Sequence, residues 1–201
     1  MVGMGYGLVV SASQQAGYER WTLRRGAQAT LRRAAADDEA AVRQLVEGLS
    51  RDSRYFRFLT GGRVADSIIE GLVRPGTDGA ALVVTVPTAD GRAAVVANGQ
   101  FVVTDRDTAE FAVVVADDWQ GQGLGRRLIT KLQQLAQAAG VRRLRGDVLS
   151  ENRRMLAILR GLGFSCRRNP EDSFLHEATL AFGSAGADAA ARLPADWFGA
   201  R

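Results

Sequence analysis

Between residues 80 and 115 apolar runs follow one another, broken by short polar stops. From residue 124 the apolar positions change to a helical spacing. Residues 80–86 and 93–104 are rich in β-branched and aromatic positions, and Pro87 with Asp90-Gly91 between them predicts a hairpin. Asp105-Arg106-Asp107-Thr108 reads as a turn into a further strand that starts near Ala109 and runs through Phe111-Ala112-Val113-Val114-Val115. Leu124, Leu128, Ile129, Leu132, Leu135, Ala136 and Ala139 then fall three and four apart, the apolar face of a helix that Gly140 is placed to end. Residues 142–148 read as a strand, 152–161 as a helix, and 163–168 with 174–182 as a closing hairpin turning at Asn169-Pro170-Glu171-Asp172.

Nearer the start, residues 20–24 and 29–33 predict two short strands around Gly26. Asp37 or Asp38 is suited to cap a helix reaching Leu49, with Ala41, Val42, Leu45, Val46 and Leu49 inward. Residues 64–73 predict a second helix. The segment between them places Tyr55, Phe56 and Phe58 as core aromatics on a short helix, or as part of a functional stretch. Residues 1–17 read as a Gly/Ser/Gln-rich leader, 18–182 as one domain, and 183–201 as a loose tail in which Trp197 and Phe198 are free to dock. The order β–α–α–β–β–β–α–β–α–β–β is an α+β arrangement with a mixed central sheet and flanking helices.

Composition narrows the function. The chain has 201 residues, 46% of them apolar, enough for a sizeable core. No apolar run approaches the ~20 residues of a membrane span, and no signal-peptide pattern opens the chain, so a cytoplasmic protein with no membrane partner is expected. One cysteine, Cys166, and one histidine, His176, leave no disulfide and no Cys/His metal cluster, and no metal is expected. The net charge of +4 is carried by arginine, Lys131 being the only lysine. Residues 140–170 hold eight arginines against Asp147 and Glu151. No aromatic platform is interleaved with them, which favours a solvated surface, or a rim that attracts a phosphate-bearing cofactor, over a nucleic-acid partner.

The densest chemistry lies between the strand and the helix, in Gln120-Gly121-Gln122-Gly123-Leu124-Gly125. A strand, a glycine turn and a helix start aim free N–H groups and the positive helix end at one spot, which suits a pyrophosphate. Arg126 and Arg127 oppose the helix dipole and are explained by a nearby anion. The P-loop is excluded because no Lys-Ser/Thr pair follows, and the dinucleotide fingerprint because the spacing is G-x-G-x-G. A glycine turn that merely packs a helix onto a sheet is the bland alternative.

The neighbours decide between these. Gln120, Gly123 and Gly125 match the fixed positions of motif A of the GNAT family, the Gcn5-related N-acetyltransferases. Glu110-Phe111-Ala112-Val113-Val114-Val115 resembles that family's fourth strand, and Asn152-Arg153-Arg154-Met155 with Leu162-Gly163-Phe164 resembles its motif B; the resemblance covers about residues 92–168. It implies a GNAT-type fold in which the fourth and fifth strands splay and acetyl-CoA lies in the gap. Val113, Val114 and Val115 would then meet the pantetheine arm, Gln120, Gly121, Gln122, Gly123, Leu124, Gly125 and Arg126 the pyrophosphate, and Asn152 the arm again besides capping its helix.

The implied reaction is acetyl transfer to a primary amine. A lysine-type ammonium has a pKa of about 10.4 and must lose a proton before it attacks the thioester. Glu110 is the candidate general base, because a charge at the start of an apolar strand is costly unless it faces water or a partner; a surface carboxylate at a strand end is its bland alternative. Asp105, Asp107, Asp117 and Asp118 read as turn and cap residues. Where many family members carry a tyrosine that protonates the leaving thiolate, this chain has Leu159. The thiolate then leaves unaided, which a pKa near 8.5 permits, or another group serves; His176 reads as structural. Ser50-x-x-Ser53-Arg54-Tyr55-x-Arg57-Phe58, with Ala109-Glu110-Phe111, is similar to the bacterial protein lysine acetyltransferases whose targets include acyl-CoA synthetases. The resemblance implies a protein lysine acceptor. A small-molecule amine, a non-catalytic coenzyme A module and an Arg-rich nucleic-acid binder are the alternatives.

Overall fold

The computed structural model describes residues 18–183, so the expectations for the leader, and for Trp197 and Phe198 in the tail, lie outside the described residues. One eight-stranded sheet organises the rest. In chain order the strands are β1 (Glu19–Thr22), β2 (Gln28–Arg33), β3 (Gly79–Pro87), β4 (Ala93–Asp105), β5 (Thr108–Val115), β6 (Arg143–Leu149), β7 (Ser165–Arg168) and β8 (Leu175–Ala181). They lie side by side as β1-β2-β3-β4-β5-β6-β8-β7, antiparallel throughout except for the parallel pair β5–β6. The helices are α1 (Glu39–Glu47), α2 (Arg51–Phe58), α3 (Asp66–Val73), α4 (Leu124–Ala138) and α5 (Arg153–Arg160). The α+β class and the mixed sheet are as the patterning predicts. The observed order has two strands before the first helix, and α2 as a third helix before β3.

Alternation along the central strands builds two cores, because successive side chains of a strand point to opposite faces. Leu82 and Val84 of β3 join Leu128, Ile129 and Leu132 of α4 and Leu156 and Leu159 of α5 on one face. Val83 joins Val42, Leu45 and Val46 of α1 and Ile69, Leu72 and Val73 of α3 on the other. Both faces being covered, β3 reads as a continuous apolar run rather than an alternating one. Asn98, fully buried on β4, donates through Nδ2 to the carbonyls of Leu72 at 3.0 Å and Leu82 at 3.1 Å, tying α3 to the sheet.

Two local expectations change, and one polar residue is found inside. Ala139 is exposed, since α4 ends at Ala138 and Gly140 turns away with φ +84°. Asp38 gives α1 no side-chain cap; its carboxylate pairs with Arg32 at 2.5 and 2.6 Å and accepts the Ala35 N–H at 2.7 Å. Lys131, polar within the apolar helix pattern, is buried and ion-paired with Glu19 of β1.

One irregularity creates the site. β5 and β6 pair only at Thr108–Arg143, Ala109–Leu144 and Glu110–Arg145. Beyond those positions β6 continues to pair with β8 along its whole length, while β5 follows β4. Phe111 stands at the fork, its ring centroid 5.1 Å from that of Phe164. A Cβ on Gly146 would lie 3.0 Å from that ring and 3.1 Å from the Phe111 carbonyl, so glycine allows the close approach from which the strands separate.

Candidate active site

The separated strands open a cleft of about 910 Å³. Its walls come from β5 (Glu110 to Val115), β6 (Gly146 to Leu149), the start of α4, the whole inner side of α5, and α2. At one end stands the glycine turn. At the other, about 17 Å along the strand from Val115 at ~3.3 Å per residue, stands Glu110.

The turn has the geometry of an anion cradle. A short 3-10 turn, Asp117–Trp119, ends in the bond from Gln120 N–H to the Asp117 carbonyl at 3.1 Å. Gly121 and Gly123 follow with φ of +80° and +92°, angles that glycine alone adopts at little cost. Gly123 is the N-cap of α4 and no side chain caps the helix, so the first-turn N–H groups are left for another acceptor. A Cβ on Gly123 or Gly125 would meet no atom of the protein within 4 Å. That open concavity fits a phosphate group, and the chemistry of its donors fits an anion.

The other residues expected to line the cofactor site are only partly brought together. Val113 and Val115 pack toward α4, whereas the Val114 side chain is buried among α1 and α3, leaving only its main chain to the cleft. Asn152 caps α5 by accepting the Met155 N–H at 3.1 Å and lines the cleft as well. Gln120 is a staple: its Nε2 donates to the Val115 carbonyl at 3.3 Å and to Ser53 Oγ at 3.1 Å, and its Oε1 accepts from Arg154 at 3.3 Å. The Gln122 side chain turns away from the cleft. The residue is 5% exposed, is absent from the cleft walls, and points its side chain into the protein, where alternation along the tight turn sends it. Arg126 remains at the cleft, but its guanidinium donates to the Gly161 carbonyl at 3.1 Å. Arg127 lies over the Trp21 ring, 5.5 Å from its centroid. Both arginines thus have protein partners that offset their position in the first turn of α4.

Glu110 is exposed and faces the cleft where the strand pairing stops. Leu159 is fully buried in the wall, with no proton to give. His176 sits on β8, its Nδ1 3.0 Å from Ser150 Oγ, and is not part of the cleft lining; its neighbour Leu175 is. The described residues contain no group of three or more His, Cys, Asp and Glu placed to hold a metal ion.

The element that sequence reasoning left least defined is α2. None of its residues is buried, so Tyr55, Phe56 and Phe58 are not core aromatics: Tyr55 is exposed, Phe56 lines the cleft, and Phe58 only flanks the second core. The helix is held by its N-cap. Ser50 Oγ accepts the Ser53 N–H at 3.1 Å. The Asp117 carboxylate accepts from Ser50 N–H at 2.8 Å, Ser50 Oγ at 2.9 Å and Ser53 Oγ at 2.6 Å. Burial raises the Asp117 pKa, but the Ser53 and Ser50 donors outweigh it and hold the carboxyl below its ordinary value. Asp117 is thus the clamp that joins α2 to the glycine turn, besides being the turn residue its position suggests. The Ser-x-x-Ser spacing ahead of the aromatic run was the available signal for a capped helix; the partner from a distant turn was not visible.

Arg57, in the last turn of α2, shares the cleft with Glu110. Its guanidinium carbon is 4.8 Å from the centroid of the Phe58 ring, and its Nε is buried with no hydrogen-bond partner. Burial pushes its pKa down to about 10, against the opposing pull of the Glu110 charge.

Comparison with known proteins agrees with this geometry. The profile of the Acetyltransferase (GNAT) family matches residues 80–164, from β3 through the α5–β7 turn. The chain is 30% identical over 139 residues to the acetyltransferase PA5475 of Pseudomonas aeruginosa, covering 68% of this chain and 75% of that one. Among solved structures it is similar to the GNAT domain of S. lividans PAT, with a TM-score of 0.71, 22% identity, and 82% and 97% of the two chains covered. It also resembles yncA from Salmonella typhimurium, solved with its cofactor acetyl-CoA, with a TM-score of 0.63, 20% identity, and 78% and 95% covered.

Proposed function

The chain belongs to the GNAT acetyltransferase family and is an N-acetyltransferase that uses acetyl-CoA, and from that premise we propose that its acceptor is a protein lysine side chain, with Glu110 as the general base. Acetyl-CoA supplies the activated acetyl thioester. The glycine turn, Gly121 to Gly125, and the first N–H groups of α4 hold its phosphates, with Arg126 beside them. Val113, Val115 and Asn152 guide the chain between turn and base. Gln120 acts one step back, keeping the end of β5, α2 and α5 together around the bound molecule.

The observation that carries the base assignment is the place of Glu110. It is an exposed carboxylate at the last paired position of β5 and β6, on the cleft wall and a strand's length from the phosphate end. A lysine Nζ arriving there gives its proton to the Glu110 carboxylate and attacks the thioester carbonyl as the neutral amine. Leu159 offers no acid to the departing thiolate, whose own acidity lets it leave as the anion. The lysine acceptor is supported by the exposed Leu59, the residue after α2, in the cleft wall, an apolar surface that a peptide can reach. A cytoplasmic location belongs to the same reading; no helix of the described residues is long and apolar enough to cross a membrane.

Glu110→Gln tests the base directly. General-base catalysis is worth about 10²–10⁴-fold, so kcat with a lysine peptide should fall by that order, while calorimetry shows acetyl-CoA binding unchanged. Full activity of the variant between pH 6 and 9 would remove Glu110 from the mechanism. Transfer to spermidine in preference to any lysine peptide would remove the protein acceptor.

A further inference from the structure

Arg57 plays no part in the transfer just described, yet it lies in the same end of the cleft. Its Nε is buried without a hydrogen-bond partner. Among the described residues no carboxylate comes within ion-pair distance of it; the ion pairs there join Arg32, Arg43, Arg63, Arg74, Arg92, Lys131 and Arg145 to other acids. The guanidinium is fixed against Phe58 and shares the walls with Phe56, Leu59, Phe111 and Leu175. A buried donor left without an acceptor is costly. Even with its pKa held at about 10, the group is charged at neutral pH.

That charge poses a problem for the acceptor. A bare amine approaches Glu110 as a cation and meets a second cation fixed in the same apolar-walled space. The conflict disappears if the acceptor brings an anion with its amine. A carboxylate takes two parallel N–H bonds from the Nη groups of the guanidinium, which are not closed to solvent as Nε is, while Glu110 receives the amine. Glu110 and Arg57 then form a pair of opposite charges matched to an amine and a carboxylate carried by one molecule.

We propose that Arg57 is a specificity residue that binds a carboxylate of the acceptor, so that the preferred lysine is one flanked by Asp or Glu. The inference rests on Glu110 marking the acceptor end. The carboxylate can come from a neighbouring side chain or from the acceptor's own main chain, and the test separates the two. One pair of acceptors is a blocked peptide with Glu beside its lysine and the same peptide with Gln. The other is Nα-acetyl-lysine and its carboxamide. Charge-assisted hydrogen bonds are worth about 1.5–3 kcal/mol, so the acidic member of a pair should lead by about tenfold or more in kcat/KM, mainly through KM. Arg57→Gln should abolish that ratio and Arg57→Lys should restore only part of it, with acetyl-CoA binding retained in both.

Equal kcat/KM for both members of each pair in the wild-type protein overturns the proposal, whatever the variants do. So does an Arg57→Gln protein that keeps the ratio and shifts the pH profile of every acceptor, because Arg57 would then act through Glu110. If no peptide is acetylated, the protein-lysine reading fails by itself. Calorimetric binding of Nα-acetyl-lysine against its carboxamide, to protein saturated with coenzyme A, still decides the role of Arg57.

Discussion

Gly125 separates two reasons for glycine in one turn. Gly121 and Gly123 have left-handed φ, and a side chain there is strained by about 1–2 kcal/mol whatever the ligand. Gly125 is already inside α4 with an ordinary helical backbone, and a Cβ on it would touch nothing. The fold itself therefore gives no cause for glycine at 125, and we propose a ligand's approach as the cause. Gly125→Ala should leave thermal stability unchanged or raise it, by no more than about 1 kcal/mol of helix propensity. The same change should weaken acetyl-CoA binding measured by calorimetry. Unaltered affinity would mean that the cradle is not at Gly125. At this scale the sequence was most legible for the turn glycines and the Asn152 cap, whose roles are set by near neighbours, while Asp38 left its expected cap for Arg32. It was least legible for Gln122, Val114 and Arg127, whose directions are set by turn geometry and by a partner, Trp21, far back in the chain.

At the scale of elements, α2 is the least self-sufficient part of the site. It buries none of its residues fully and owes its position to Asp117. Asp117→Ala removes four acceptor contacts, three of them from Ser50 and Ser53, and should cost about 1–2 kcal/mol. Hydrogen exchange should show the loss in residues 50–58 first, with the sheet amides unaffected. The sign of the pH dependence follows from the lowered Asp117 pKa. The stabilisation is complete above the carboxyl's unfolded pKa and is lost as pH falls through the lower folded value, so acid releases α2 only below the ordinary carboxylate range. Protection of α2 that is equal in wild type and variant would place its anchor elsewhere. The long elements β3, β4 and α4 were legible because each carries many apolar positions in one period; α2 was not, because eight residues with no buried face leave no period to read.

For the whole molecule, arginine has replaced lysine almost everywhere. Lys131 is the single lysine of the sequence, and it is buried and paired with Glu19. An acetyltransferase built this way offers its own active site no accessible side-chain amine. Incubation with acetyl-CoA should therefore leave Lys131 unmodified in peptide mass spectrometry after hours, under conditions in which an added lysine peptide is turned over. Acetyl-Lys131 in the folded protein would contradict the burial and the ion pair. The two cores keep most of the charge outside: the described arginines lie mainly on the surface and at the cleft rim, while helices on both faces close the sheet.

By itself the sequence determined the class of fold and the strand–turn–helix that opens α4, and it singled out Glu110, the carboxylate we propose as base. Those depend on periodicity and on spacings of a few residues, which the backbone turns directly into geometry. Only the tertiary structure decided at which residue β5 and β6 part, that Asp117 clamps α2, and that Arg57 faces the same cleft as Glu110. Each of these joins residues tens of positions apart. Such meetings follow from how strands order in the sheet and how loops return over it, and no local pattern encodes them.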